Sequence, residues 1–227
     1  MEGTLLGMAL MLGVLHSLEP DHLAAVTSFV VGRPEKRAAA AYGLRWGVGH
    51  GGIVFVVGTA LMMLPIQLNE SLEVWLERGV GVSLLLLGAW VLATARTLHA
   101  HPHRHEDGTE HVHLHAHPLS AHAVDEPGKV GSHRHAHAAT AMGALHGLAG
   151  TAPAVALMPL VATDSVAAGA LFLAMFGVGT AVAMVFYALF AGVVADRTAR
   201  RSVALGRTLA RITGLGTAAV GVWWLVQ

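Results

Sequence analysis

The sequence predicts an all-α integral membrane protein of six transmembrane helices, arranged as two inverted three-helix repeats with the first helix broken at Pro20. Composition is the first reason. Of 227 residues, 54% are hydrophobic and 12% charged, about half the charge of a typical soluble domain, and the mean hydropathy is +0.59. The second is a series of apolar stretches long enough to span a bilayer, at about 3–31, 39–64, 74–97, 139–162, 165–194 and 205–226. The third is internal repetition. Gly13-Val14-Leu15-His16-Ser17-Leu18 matches Gly143-Ala144-Leu145-His146-Gly147-Leu148, and Gly47-Val48-Gly49-His50 matches Gly177-Val178-Gly179-Thr180, both at an offset of 130. Gly81, Gly88 and Trp90 match Gly214, Gly221 and Trp223 at an offset of 133. Residues 1–98 and 139–227 then form the two repeats, with 99–138 between them. Three spans per half force opposite orientations, an architecture in which transporters set their site near the midplane, where the halves meet.

The first segment carries the chemistry. His16, Glu19, Asp21 and His22 interrupt an otherwise apolar stretch, and no charge occurs from Gly3 to Leu15. Ionisable groups at membrane depth are costly and mark ion or substrate paths. Pro20 has no N–H, so the carbonyl of His16, four residues back, is expected to lose its helical partner. A broken helix with free backbone oxygen and converging side chains is one way membrane proteins build an ion site. On an ideal helix His16 and Asp21 lie about 140° apart and His22 about a further 100° round. These residues share a site only if Pro20 distorts the helix. An ordinary turn between two short helices is the plainer alternative at Glu19-Pro20-Asp21.

Two later segments add His50, in a Gly-Val-Gly-His-Gly-Gly run from Gly47, and His146, in a Leu-His-Gly-Leu-Ala-Gly run from Leu145. Small neighbours let helices approach closely, which brings short ligands within reach of a shared centre. Pro153 and Pro159 are expected to interrupt the fourth segment. Leu171, Phe172, Met175, Met184 and Phe186 of the fifth read as lipid-facing or packing residues. Trp75, Trp90, Trp223 and Trp224 read as interface anchors. Thirteen of the fourteen Lys and Arg residues follow segments one, three and five, Arg78 being the exception. The positive-inside rule then predicts a multi-pass cell-membrane protein with both termini outside and the 99–138 loop in the cytoplasm.

That loop is a different material. It holds 12 of the 16 histidines, with Pro, Gly, Asp and Glu among them and almost no large apolar residues, so it is expected to be disordered. His-rich tracts bind metal as a compositional tendency; a plain solvated linker is the alternative. The absence of cysteine excludes disulfides, thiolate sites and Fe–S clusters, and zero formal charge gives no reason to expect nucleic acid. A bound metal is left with imidazole, carboxylate, thioether, backbone or water. Imidazole suits nickel, cobalt, zinc and copper.

The sequence H-x-x-x-x-D-H at His16, Asp21 and His22 resembles the signature of the nickel/cobalt transporter family. The G-x-G-H-G stretch at His50 and the L-H-G-L-A-G stretch at His146 are similar to that family's further motifs. The resemblance covers all six segments but not the His-rich loop. It implies that His16, Asp21 and His22 bind and select the ion, with His50 close by; His146 and Glu19 complete the candidate ligands. Larger uptake members have eight spans with the signature in the second. Its place in the first span here resembles the six-span branch that includes urease-associated nickel transporters. The long His-rich loop is similar to that of exporters in the related efflux branch, which carry glycine where Asp21 stands.

These observations predict a secondary transporter of divalent nickel or cobalt working by alternating access, with uptake favoured by Asp21. No tightly bound cofactor is expected beyond the transported Ni2+ or Co2+. The expected partners are the ion, membrane lipid and a cytoplasmic metallochaperone. Three other readings stay open: a nickel/cobalt exporter collecting ions on the loop, a membrane metal-dependent hydrolase or acyltransferase using His16 and Asp21, and a haem protein with paired axial histidines.

Overall fold

The computed structural model describes residues 2–32, 34–64, 70–95, 99–104, 110–115, 131–150, 152–163 and 165–226. In chain order the elements are α1 (Glu2–His16), α2 (Pro20–Val31), α3 (Lys36–Met63), α4 (Glu70–Ala95), β1 (His99–Arg104), β2 (Glu110–His115), α5 (Gly131–His146), α6 (Ala152–Ala162), α7 (Val166–Arg201) and α8 (Val203–Val226). The helices α3, α4, α7 and α8 are each long and apolar enough to cross a membrane, and α1 with α2 makes a fifth candidate span, bent by 63°. The expected fourth segment is divided into helices of 16 and 11 residues. Large apolar side chains such as Leu86, Phe186, Phe190 and Val226 face outward. Glycine and alanine fill the seams between helices. Where lipid tails are as apolar as leucine, close packing of small residues is what joins helices.

The first break has a local cause. Past His16 the chain tightens: Leu18 N–H donates to Leu15 O at 3.0 Å and Glu19 N–H to His16 O at 3.1 Å. The His16 carbonyl is therefore not left free, as Pro20 alone would suggest, because the turn supplies it with the Glu19 amide. Pro20 then opens α2 at its first position, where a missing N–H costs nothing and φ is already helical.

The second break falls at residues 147–150 rather than at the expected prolines. Gly150 closes it with φ +67°, a left-handed conformation that glycine adopts without penalty. Pro153 sits in the first turn of α6, where proline is tolerated, and Pro159 is carried inside α6. Gly150→Ala is expected to destabilise the protein by about 1–2 kcal/mol, because its Cβ would also meet the Trp224 ring at 2.9 Å. Thermal unfolding in detergent, compared with Gly216→Ala, whose Cβ would meet nothing within 4 Å, checks this.

The seams pair off in a regular way. A Cβ on Gly13 would strike the Phe176 carbonyl, and one on Gly143 the Trp46 carbonyl. A Cβ on Gly179 would strike the Leu10 carbonyl, and one on Gly49 the Thr140 carbonyl. Gly47 lies against Ala181 and Gly51 against Gly177, so α3 and α7 run antiparallel. Gly81 lies against Gly221 and Gly88 against Gly214, so α4 and α8 do the same. Hydroxyls tie α2 into this frame: Ser28 Oγ is 2.8 Å from Thr217 Oγ1, and Thr27 Oγ1 is 2.6 Å from the Tyr187 hydroxyl.

The loop expected to be disordered contains β1 and β2, paired antiparallel in a ladder from His99↔His115 to Arg104↔Glu110, and its last residues belong to α5. The cause lies in a feature that composition hides. From His99 to His103 and from His111 to His115 histidine alternates with other residues at a period of two, the period of a strand. The strands qualify the all-α expectation in this loop; the candidate spans are all helical.

Candidate metal centre

The break between α1 and α2 turns two helix ends toward one point. His16 is the last residue of α1, while Asp21 and His22 stand in the first turn of α2. A helix N-terminus favours a carboxylate there, so Asp21 suits its position as an anion. Glu19, the N-cap of α2, makes no capping bond with its side chain. Its Oε1 lies instead 3.0 Å from His16 Nδ1. From the side, α3 delivers His50, which has fourteen residues of the helix before it and thirteen after, or about 20 Å from either end.

Three imidazole nitrogens meet at this point. His16 Nε2 is 3.1 Å from His50 Nε2 and 3.2 Å from His22 Nε2, and His22 Nε2 is 3.3 Å from His50 Nε2. With metal–nitrogen bonds of about 2.0–2.1 Å, neighbouring ligand atoms stand roughly 3.0 Å apart in octahedral geometry and roughly 3.3 Å apart in tetrahedral geometry, so the triangle has the size of a coordination face. One proton per imidazole cannot satisfy three mutual N···N contacts, whereas a cation between them engages all three lone pairs. His50 Nδ1 has no hydrogen-bond partner among the described residues.

A second group overlaps the first. Glu19, Asp21 and His22 bring one ligand atom each within 4.8 Å of one another. His22 belongs to both groups: its Nδ1 lies 2.9 Å from Asp21 Oδ2 while its Nε2 faces the other histidines. This Nδ1 contact is a close polar approach rather than an aligned hydrogen bond. His16, Asp21, His22, His50 and His146 are each no more than 5% exposed, whereas the Glu19 side chain is 27% exposed. Glu19 is thus the rim of the cluster.

His146 stands beside the triangle, not in it. Its Nε2 is 3.9 Å from Asp21 Oδ2, and its Nδ1 is 2.9 Å from the Met142 carbonyl. That second contact fixes the ring and leaves Nε2 turned toward the carboxylate. The structure therefore gathers all six residues singled out in the sequence, five in the two ligand groups and His146 against them.

Two members of the site had no sequence signal of their own. Trp46 stacks on His50 with centroids 5.2 Å apart and planes at 20°, and meets the His22 ring edge-on at 4.9 Å. Phe176 lies 5.4 Å from His16 and 6.2 Å from His50. Both are buried. They immediately precede the matched runs at Gly47 and Gly177, at the same offset of 130. Extending that match by one residue would have found an aromatic pair.

Comparison with known proteins was made against this geometry. Residues 48–223 match the family described as "Cytochrome C biogenesis protein transmembrane region". Urease accessory protein UreH of Bacillus sp. (strain TB-90) is 25% identical over 222 residues, covering 98% of this chain and 90% of its own length. Chloroplast protein FOR GROWTH AND FERTILITY 1 of Arabidopsis thaliana is 34% identical over 182 residues, 79% of this chain. A Methanocaldococcus jannaschii protein provisionally named a nickel/cobalt efflux system is 29% identical over 109 residues, 45% of this chain. The chain spans about half, 47%, of each of these last two relatives. No solved structure matches. The chain therefore belongs to the family of the cytochrome c biogenesis protein transmembrane region, and its relatives support the nickel/cobalt transporter resemblance carried by His16, Asp21 and His22.

Proposed function

We propose that this membrane protein is a secondary transporter of divalent nickel or cobalt, working in the uptake direction through His16, His22, His50, Asp21 and Glu19. One observation carries the reading: three buried Nε2 atoms, 3.1–3.3 Å apart, at a broken helix. The name of one relative, provisionally a nickel/cobalt efflux system, points to the same cargo. No cysteine is present, so no thiolate takes part in the site. The ion is substrate here, not a resident cofactor.

In this reading an ion reaches the partly exposed rim at Glu19, exchanges water for the Asp21 carboxylate, and passes to the imidazoles, with His22 common to both stages. Six spans in two inverted repeats complete it, α1–α2 and α5–α6 each forming one interrupted span. The seams support this. At the repeat's offset of 130, the contact of Gly13 with Phe176 becomes that of Gly143 with Trp46, and that of Gly47 with Ala181 becomes that of Gly177 with Gly51. Equivalent helices lying antiparallel are what inverted halves require. Both termini outside and residues 99–138 in the cytoplasm remain the topology we assign from the basic residues. Inward movement of a divalent cation then gains about 4.6 kcal/mol per 100 mV.

Nickel content of intact cells tests the direction. Cells expressing the chain are expected to exceed vector controls, and those expressing Asp21→Asn are not. Lower nickel that depends on Asp21 would instead mean export, and no difference with nickel, cobalt or zinc would remove transport. Trp46→Ala, which frees the His50 ring, is expected to weaken Co2+ binding about tenfold, in the range for lost supporting contacts; a cobalt titration monitored by ligand-field absorption reads it.

A further inference from the structure

The metal centre lies between two apolar plugs. On one side Val26, Val30, Ala39, Trp46, Met184 and Ala188 pack as a buried cluster. Trp46 joins this cluster to the site, against His22 and His50. On the other side Val54, Ala156, Leu173 and Phe176 belong to a second buried cluster, which Phe176 joins to the site, against His16 and His50. Ala39 and Trp46 precede His50 along α3 and Val54 follows it, so the plugs lie toward opposite ends of that helix. They also correspond. At the offset of 130, Val26 becomes Ala156, Trp46 becomes Phe176 and Val54 becomes Met184.

The plugs differ in how they are fastened. Over the first, Thr27 Oγ1 of α2 lies 2.6 Å from the Tyr187 hydroxyl of α7. The Thr27 hydroxyl donates to the Leu23 carbonyl at 2.7 Å, so in the cross-helix bond it accepts and Tyr187 donates. Leu23 and Tyr187 both pack against this plug. The counterparts of Thr27 and Tyr187 at the second plug are Leu157 and Val57, which can form no such bond. Ser28 is tied to Thr217 of α8, but on a helix it lies about 160° round from Val26. That tie backs α2 rather than closing the plug. We infer that the Thr27–Tyr187 hydrogen bond is a latch on the cytoplasmic plug, so that the empty protein opens first to the outside and offers its histidines there. The inference rests on the transport reading and topology given above. Swinging α2 away from α7 breaks the latch, whereas opening the second plug breaks no equivalent bond. Between otherwise like halves, one net hydrogen bond biases the two openings about fivefold.

The chain has no cysteine, so single thiols report on it cleanly. Val26→Cys and Ala156→Cys place one at equivalent positions of the two plugs. Full-length protein in detergent, kept metal-free with a chelator, is treated with a water-soluble maleimide, and each rate is divided by that of the unfolded chain. The reporter at position 156 is expected to react faster than the one at 26. Tyr187→Phe, which spares the bond from Thr27 to Leu23, is expected to speed reaction at 26 about fivefold and to slow it at 156. Ser28→Ala is expected to leave the rate at 26 as it was. Faster reaction at 26 than at 156 in the otherwise native chain would overturn the latch, as would an unchanged rate at 26 with Tyr187→Phe. Equal acceleration at both positions would overturn it too, being the mark of general loosening, and so would a rise with Ser28→Ala matching that with Tyr187→Phe. These rates do not depend on nickel, so a latch that behaves as stated in a chain that moves no nickel would sink the transport reading alone.

Discussion

Replacing His22 with alanine is expected to reduce nickel transport to the level of membranes lacking the protein. His22 is the one side chain common to both ligand groups. Its loss removes a nitrogen from the triangle at 3.2 and 3.3 Å, and removes the nearer of the two histidines beside Asp21 Oδ2, at 2.9 Å, leaving His146 at 3.9 Å. A buried carboxylate deprived of its nearest partner is itself costly. His50→Ala takes a nitrogen from the triangle alone, and Glu19→Gln alters only the rim. The order of damage is therefore His22, then His50, then Glu19. Loss of a supporting contact costs about 10–100-fold in metal affinity. Loss of a ligand shared by two groups is expected to exceed that range, and Glu19→Gln to stay at its low end. Nickel flux into proteoliposomes measures the series, with a monodisperse elution profile showing that each variant folds. A His22→Ala protein transporting at half the native rate would remove the cluster from the ion's path.

Gly143→Leu is expected to prevent a stable bundle from forming, whereas Gly52→Leu leaves one intact. Both glycines lie in helices, so the change in helix propensity is the same. Their surroundings differ. A Cβ at Gly143 would run into the Trp46 carbonyl and come within 3.1 Å of the His50 amide nitrogen, while one at Gly52 would meet nothing within 4 Å. Backbone cannot swing aside as a flexible side chain can. Overpacking of this kind costs about 3 kcal/mol or more, and it would also displace both Trp46 and His50 from the metal centre. Thermal unfolding in detergent, followed by tryptophan fluorescence, separates the pair. Equal melting temperatures would mean that this seam does not hold α5 to α3.

The histidines and carboxylates of the centre were legible because they contrast with their surroundings. His16, Glu19, Asp21 and His22 are polar groups in an apolar run, and position 50 is a histidine set among glycines. Trp46 and Phe176 have no such contrast, since an aromatic residue in a membrane helix looks the same facing lipid, a neighbouring helix or a metal ligand. Only the repeat distinguishes them. The break at residues 147–150 was obscured by the nearby prolines, because Pro153 falls in a first turn that accepts it and Gly150 does the breaking through its positive φ. In the loop, hydropathy averaged over a polar tract concealed a period of two. Strand pairing depends on that alternation rather than on the average.

The glycine and aromatic contacts recur at the offset of 130, and so does one histidine, His16 with His146, but the other ligands do not. Where one half carries His50, the other carries Thr180, and where one carries His22, the other carries Ala152. On the proposed inverted repeat, a frame of like halves has two tilts of similar energy, one the mirror of the other in function. Shifting such a balance from 1:99 to 99:1 takes only about 5.5 kcal/mol of preferential binding. Under the proposed alternating access, the lopsided placement of nitrogen and oxygen ligands on such a frame would let the cargo itself set which way the protein leans.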